Sequence, residues 1–338
     1  MSDRYYCTLA ELLTDLGLPG IRDEEAAVSR IRAASDWIDG HLGQFIPVTE
    51  TRSFDGKGTL NLWIDAILAI TTVTDDGTAL AASDYVPYPL MRHWPNGPYS
   101  RLTIDPDSAR SVWTDEEDVI EIAGRWGLYE EAIATGATVQ NNPLDAGGTS
   151  LVVSNGAKAG VGMVLKIESE QLLVTASEAP TDTTANLAED LDNSEEEWDL
   201  SSAATINVGE ILRVDFEQAK VLDKVSNTVA VKRGWNETKI VTHANLTDVY
   251  AYRTFTVKRG VNGTTDAAHA QGTAISRYIP PFDVNWLCRQ IAGLMLKKAQ
   301  SGFAGKVGNA ELGEVFYTNE FPKDVIDRIR RNYSIPSL

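Results

Sequence analysis

Two spacings of apolar residues alternate along the chain. Leu9, Leu12, Leu13 and Leu16 recur every three or four positions, so residues 8–18 predict a short helix. Thr8 with Glu11 has the form of a capping box, and Gly17 with Pro19-Gly20 supplies a stop. Val28, Ile31, Ala34, Ile38 and Leu42 predict a longer helix over residues 23–42, where Asp23-Glu24-Glu25 suits the positive end and Gly43 the C-cap. From Thr49 the period becomes two. Residues 50–54, 59–64, 67–75, 83–88, 101–104 and 118–123 read as strands of a small antiparallel β unit, separated by turn signals such as Asp55-Gly56 and Asp76-Gly77. Helical spacing returns after Pro280-Pro281: Asp283 suits an N-cap, Val284, Leu287, Ile291, Leu294 and Met295 share a face, and Phe282 with Leu287 predicts a hydrophobic staple. A Gly-rich link over residues 301–313 precedes a last helix opened by Pro322. There Val325, Ile326 and Ile329 are apolar, and Asp324 precedes Arg328, Arg330 and Arg331, the charge order that the helix dipole favours.

The middle of the chain, residues 134–278, is rich in Thr, Val, Ala and Gly and alternates with almost no helical period. The expected fold class is therefore α+β: a helical bundle with a small antiparallel β unit, plus a large inserted all-β domain built from a duplicated module. Residues 1–133 hold the N-terminal helices and β unit, 134–278 the insert, and 279–338 the C-terminal helices and tail. Inside the insert, residues 178–200 carry Glu178, Asp182, Glu189, Asp190, Asp192, Glu195, Glu196, Glu197 and Asp199 with no Lys or Arg. This stretch reads as a mobile, solvated loop, without the ligand spacing of a calcium loop.

The duplication rests on two self-similarities. Val161-Gly162-Met163-Val164-Leu165-Lys166-Ile167-Glu168-Ser169-Glu170-Gln171 aligns with Val208-Gly209-Glu210-Ile211-Leu212-Arg213-Val214-Asp215-Phe216-Glu217-Gln218. Further on, Val231-Lys232-Arg233-Gly234-Trp235-Asn236-Glu237-Thr238 with His243 aligns with Val257-Lys258-Arg259-Gly260-Val261-Asn262-Gly263-Thr264 with His269, at a shorter offset. The order front, front, back, back predicts one β module inserted within another. The Arg-Gly-x-Asn-x-Thr core predicts a strand ending in a tight turn, with positive φ at Gly260 and at Asn262-Gly263 and caps from the Asn and Thr side chains. His243 and His269 are expected to pack or hydrogen bond rather than to bind a metal, since no third ligand accompanies either.

Composition narrows the function. No apolar run approaches the roughly 20 residues of a membrane span, and Met1 to Tyr6 has no cationic stretch followed by an apolar segment, so manufacture and use in a cytoplasm are expected. A net charge of -18 argues against gripping nucleic acid through its phosphates, yet suits a channel through which DNA slides without sticking. Cys7 and Cys288 read as buried small hydrophobes, and no metal site or cofactor is expected. Phosphate loops, nucleophile elbows, His-Glu-x-x-His and Cys-x-x-Cys are absent, so no catalytic residue and no enzymatic activity are expected. Trp63, Trp94 and the other tryptophans could in part line a carbohydrate surface, though core packing explains them equally well.

The collinear order of these features resembles the head-tail connector (adaptor) family of tailed double-stranded DNA bacteriophages. The resemblance is carried by the two N-terminal helices, Thr49-Glu50-Thr51-Arg52-Ser53-Phe54-Asp55-Gly56, the strand Ile67 to Thr74 with Asp76-Gly77-Thr78-Ala79-Leu80, and Asp84-Tyr85 with the Pro-rich stretch to Leu102. Val119-Ile120-Glu121-Ile122-Ala123-Gly124-Arg125-Trp126-Gly127 and the C-terminal pattern through Glu311-Leu312-Gly313-Glu314-Val315 complete it. It covers about residues 5–130 and 280–332; the insert departs from the compact family pattern and looks like small β modules of phage structural proteins. The resemblance implies a structural virion protein at the head-tail junction, assembled in the host cytoplasm. It would form a ring, dodecameric in the family, under the portal protein, extend the DNA channel without specific recognition, and dock a downstream tail or head-completion protein. The tail beyond Gly313 is expected to dock on the portal through Phe316, Tyr317, Phe321, Arg328, Arg330 and Arg331, aromatic anchors beside a basic end on an acidic body. Another tail or baseplate subunit whose β insert binds a fibre or glycan is the alternative, with a carbohydrate-active enzyme behind it.

Overall fold

The computed structural model describes residues 3–18, 20–21, 23–90, 98–178, 180–300, 306–309, 313–316 and 321–334. Helix α1 (Leu9–Leu16) begins as its sequence predicts: Thr8 Oγ1 accepts from Glu11 N at 3.2 Å, and Glu11 Oε2 accepts from Thr8 N at 2.9 Å. In α2 (Glu24–Leu42) the Asp23 carboxylate caps Ala26 N at 2.9 Å. Helix α3 (Phe282–Gln300) starts at Phe282 itself, so Phe282 stands 75% exposed and the expected staple to Leu287 does not form. Asp283 instead accepts from Arg328 Nε at 2.9 Å, tying α3 to α4 (Lys323–Tyr333). Leu12, Ile31, Ile38, Val284, Leu287, Ile291, Val325 and Ile329 meet in one buried cluster, so both ends of the chain share a core.

Between α2 and the insert lies an antiparallel sheet of β1 (Val48–Phe54), β2 (Asn61–Asp75), β3 (Thr78–Ala79), β4 (Tyr85–Tyr88), β5 (Tyr99–Ile104) and β6 (Ile120–Trp126). Its order is β1-β6-β2-β5-β4, with β3 on β2. The two strands expected at 59–64 and 67–75 are one strand of 15 residues. Pairing shifts between Trp63 and Ile67, and such a bulge lets Ile64 and Ile67 both reach the core although three residues separate them.

The insert forms two antiparallel sheets. The first contains β7 (Ala132–Thr138), β8 (Ser150–Val152), β9 (Val164–Ile167), β10 (Glu170–Ser177), β17 (Thr254–Lys258) and β18 (Ala274–Tyr278). The second contains β11 (Thr181–Asn186), β12 (Glu197–Asp199), β13 (Ile211–Val214), β14 (Glu217–Val225), β15 (Thr228–Lys232) and β16 (Asp248–Ala251). The second therefore lies in sequence between two strands of the first, and we call them the nested and the host sheet. Their orders are β7-β18-β9-β10-β17-β8 and β11-β16-β13-β14-β15-β12. With strands taken in chain order within each sheet, the two orders are identical: first, sixth, third, fourth, fifth, second.

Each sheet has its own apolar core, and the host sheet also places Val161, Val164, Leu173, Val261 and Tyr278 in the helical cluster. The acidic stretch 178–200 is not a free loop. It supplies β11 and β12, and Ala185, Leu187, Leu191, Trp198 and Leu200 fill the nested core while Asp182, Asp190, Asp192 and Asp199 face solvent. In the Gly-rich link lies β19 (Lys306–Asn309), which pairs antiparallel with β20 (Gly313–Phe316) just beyond it.

Candidate functional site

The tail residues expected to dock on a partner fall into two groups. Phe316 ends β20, and Tyr317 lies outside the described residues. Phe321 packs edge-on to Trp37 of α2 at 5.0 Å, and Val325, Ile326 and Ile329 bury α4 against its own chain. Arg328 is held by Asp283, whereas Arg330 and Arg331 lie exposed at the end of α4, Arg330 at 3.7 Å from Asp327 and Arg331 Nε donating to the Asp327 carbonyl at 3.3 Å. The helix is thus anchored in the body, with two cationic side chains outward.

The insert contains a polar constellation that occurs twice. In the host sheet Arg259 Nε and Nη2 donate to the two Glu170 carboxylate oxygens at 2.6 and 2.7 Å. The guanidinium also donates to the carbonyls of Asp145, Gly148 and Ala267 at 2.9, 2.9 and 2.6 Å. Glu170 accepts in addition from Gly260 N and Ala267 N, both at 3.1 Å, and His269 Nε2 lies at 2.8 Å, with His269 Nδ1 at 2.9 Å from Glu168. In the nested sheet Arg233 grips Glu217 at 2.8 and 2.7 Å and donates to the carbonyls of Asp192, Glu195 and Val241. His243 lies between Glu217 at 3.0 Å and Asp215 at 2.8 Å.

Both glutamates are buried. Burial by itself would raise the Glu170 carboxyl, but the bonds from Arg259 and His269 and from the Ala267 and Gly260 amides outweigh it and hold its pKa at about 2. Glu217 is lowered against the same opposition, through Arg233, His243 and the Val241 amide. The bidentate Arg-Glu pair locks β10 to the end of β17, and its twin locks β14 to the end of β15. Both imidazoles are engaged on both nitrogens, so the expectation of a hydrogen-bonding role for His243 and His269 agrees with this geometry. The glutamates are what sequence reasoning missed. The signal was present, since the repeat aligns Glu170 with Glu217, but nothing local joins Glu170 to Arg259.

The Arg-Gly-x-Asn-x-Thr turns follow the same rule of two. Gly260 and Gly234 adopt φ of +56° and +65°, and Asn262 and Asn236 follow at 55° and 53°. Asn262 donates to Gln171 and Asn236 to Gln218, each at 2.9 Å, while Thr264 and Thr238 accept from the amides of the same glutamines at 3.0 Å. These turns dock the insert on the body. A Cβ on Gly263 would lie 1.8 Å from the Thr49 carbonyl oxygen, and one on Gly20 would lie 2.5 Å from Asn236 Cα, so both contacts are backbone-close. A third carboxylate, Glu210, joins the two sheets: it accepts from Arg253 Nε and Nη2 at 2.7 and 2.8 Å, from Gly156 N at 2.8 Å and from Asn207 N at 2.9 Å.

Elsewhere, Cys7 and Cys288 are free and buried as expected, and the neighbouring Cys288 thiol, with burial, pushes the Cys7 thiol well above its usual range. Among the described residues no helix is long and apolar enough to cross a membrane. No family model matches the chain, and neither does any curated protein or solved structure.

Proposed function

We propose that this chain is a non-enzymatic structural virion protein, a head-tail connector that assembles as a ring beneath the portal, lengthens the DNA channel and presents a surface to the next tail component. The observation that carries this reading is the shared core of α1, α2, α3 and α4: residues before and after a long insertion close on one another, in the collinear order that resembles connectors. The four helices act as a bundle, a wedge suited to lateral packing in a ring. The insert is read as one module duplicated and nested in itself, supported by the identical strand orders and the two Arg-Glu-His constellations. An overall charge of -18 keeps the wall from holding DNA in transit. Because α4 is anchored in its own body, portal docking falls to the segment from Gly313 to Phe321, with Phe316 and Tyr317 as its anchors.

The test is direct imaging of the purified chain mixed with its portal ring. A coaxial second ring seated on the portal, lost in the F316S/Y317S variant, is the expected result. Failure to bind portal at any ratio, by a chain that binds tail proteins instead, would refute the connector reading.

A further inference from the structure

The two insert sheets can be compared position by position, because Glu170 and Glu217, Arg259 and Arg233, and His269 and His243 fix the register. At the end of each sheet that carries these groups, three positions differ in kind. The host sheet has Ser169, Asp266 and Gly272; the nested sheet has Phe216, Ile240 and Leu246. Phe216 is 92% exposed, Leu246 73% and Ile240 43%. They belong to one end of the nested sheet. Phe216 tops the β13–β14 hairpin beside Asp215, which holds His243, and Leu246 sits in the turn leading to β16, whose Val249 pairs with Val214.

Leu246 is the telling residue. Its φ is 67°, and its counterpart Gly272 has φ 87° in a turn closed by the same bond, Thr247 N to Ala244 O in one sheet and Thr273 N to Ala270 O in the other. The left-handed region is disfavoured for any residue with a Cβ, so a leucine held there and turned to solvent is a feature that folding of the subunit does not require. Around this apolar end stand Asp190, whose carboxylate caps Asn245 N at 2.7 Å, Asp215 and Asp248. An apolar centre with a charged rim is the anatomy of a protein interface, and this rim asks for a cationic partner.

We propose that this end of the nested sheet is the contact with a second copy of the chain, and that it receives the basic end of that copy's α4. The proposal rests on the connector reading and deepens it by naming the lateral interface. Charge complementarity selects the occupant: α4 turns Arg330 and Arg331 outward while Val325, Ile326 and Ile329 fix it rigidly. Joining two unlike surfaces is a heterologous contact, which repeats from copy to copy and closes as a ring when the rotation between copies divides a full turn.

Sedimentation velocity of the full chain over a concentration series tests this, with and without portal. In F216S/L246G the nested sheet carries the residues that its counterpart uses at the same turns, so the fold is retained. Its self-association should weaken by about tenfold or more, while its thermal midpoint stays level or rises as the Leu246 strain is removed. R330E/R331E should weaken association similarly, and adding D190K/D248K to that variant should restore it. If F216S/L246G assembles like the parent chain, the interface is wrong while the connector reading stands. If the charge reversal is not rescued, α4 is not the occupant and the proposal fails. A parent chain that stays monomeric at every concentration and on portal overturns both.

Discussion

Replacing Arg259 by methionine isolates the energetics of the repeated constellation. The change keeps an apolar stem but removes two charged bonds to Glu170 and three bonds to the carbonyls of Asp145, Gly148 and Ala267. Glu170 is fully buried, so its carboxylate would remain with the amides of Gly260 and Ala267 and with His269 but without its main countercharge. Breaking a buried ion pair from one side costs about 3–5 kcal/mol, against roughly 0–1 for an exposed pair. The change should therefore destabilise the host sheet by about 3 kcal/mol or more at pH 7. Because the chain has several cores, the loss is best read locally, as urea-dependent amide exchange in peptides covering β10 and β17. The pH dependence provides a second reading. Glu170 is held at about 2, below its ordinary 4.5, so its contribution is complete above pH 4.5 and is lost as pH falls toward 2. Without Arg259 that acid limb should flatten, because the difference between folded and unfolded pKa shrinks. A loss under about 1 kcal/mol, or an unchanged acid limb, would refute the view that a buried, bidentate pair holds this sheet.

The twin substitution Arg233→Met should produce a loss of similar size confined to the peptides of β13–β16, and protection lost equally in the host sheet would contradict two separate cores. Glu210→Ala should strip Arg253 of its carboxylate and loosen the joint between sheets, seen as faster proteolysis at residues 178–181 and 252–253 with both sheets still folded. Deleting residues 179–252 and closing β10 to β17 with a short Gly-containing turn should leave a folded chain, since Ser177 already pairs with Phe255; circular dichroism and a cooperative melt check this. Deleting residues 135–277 should instead yield a less stable product, because it removes Val161, Val164, Leu173 and Val261 from the helical core. A truncation as stable as the parent would show that those side chains are dispensable.

Much of the body was legible because its signals are local. The spacing of Leu9, Leu12, Leu13 and Leu16, with Thr8 and Glu11, contains everything needed to start α1 in place. The self-similarity of residues 161–171 and 208–218 was equally open to reading, since aligning the chain with itself needs no knowledge of contacts. What was misread required partners far away in sequence. The acids of residues 178–200 look like a solvated loop when counted, yet alternate positions point inward and pair with β15 and β16, decided some tens of residues downstream. In β2 the three-residue step from Ile64 to Ile67 broke the period of two, and a bulge resolves it. The staple failed because α3 begins at Phe282 and leaves that ring outside. Glu170 and Arg259 could not be joined from local sequence, because a whole sheet is inserted between them.

That insertion has a mechanical side. The chain enters and leaves the host sheet through neighbours, Ala132 opposite Tyr278, and enters and leaves the nested sheet the same way, Thr181 opposite Ala251. A pull on the nested sheet therefore reaches the host sheet through two strands side by side, β10 and β17, which are dragged in the same direction and share the load. Neither sheet lies in series along a single tethering strand, so tension borne by the nested sheet reaches the body without drawing the host sheet apart end to end. A chain built this way can be tugged at its nested sheet while the helical core keeps its shape.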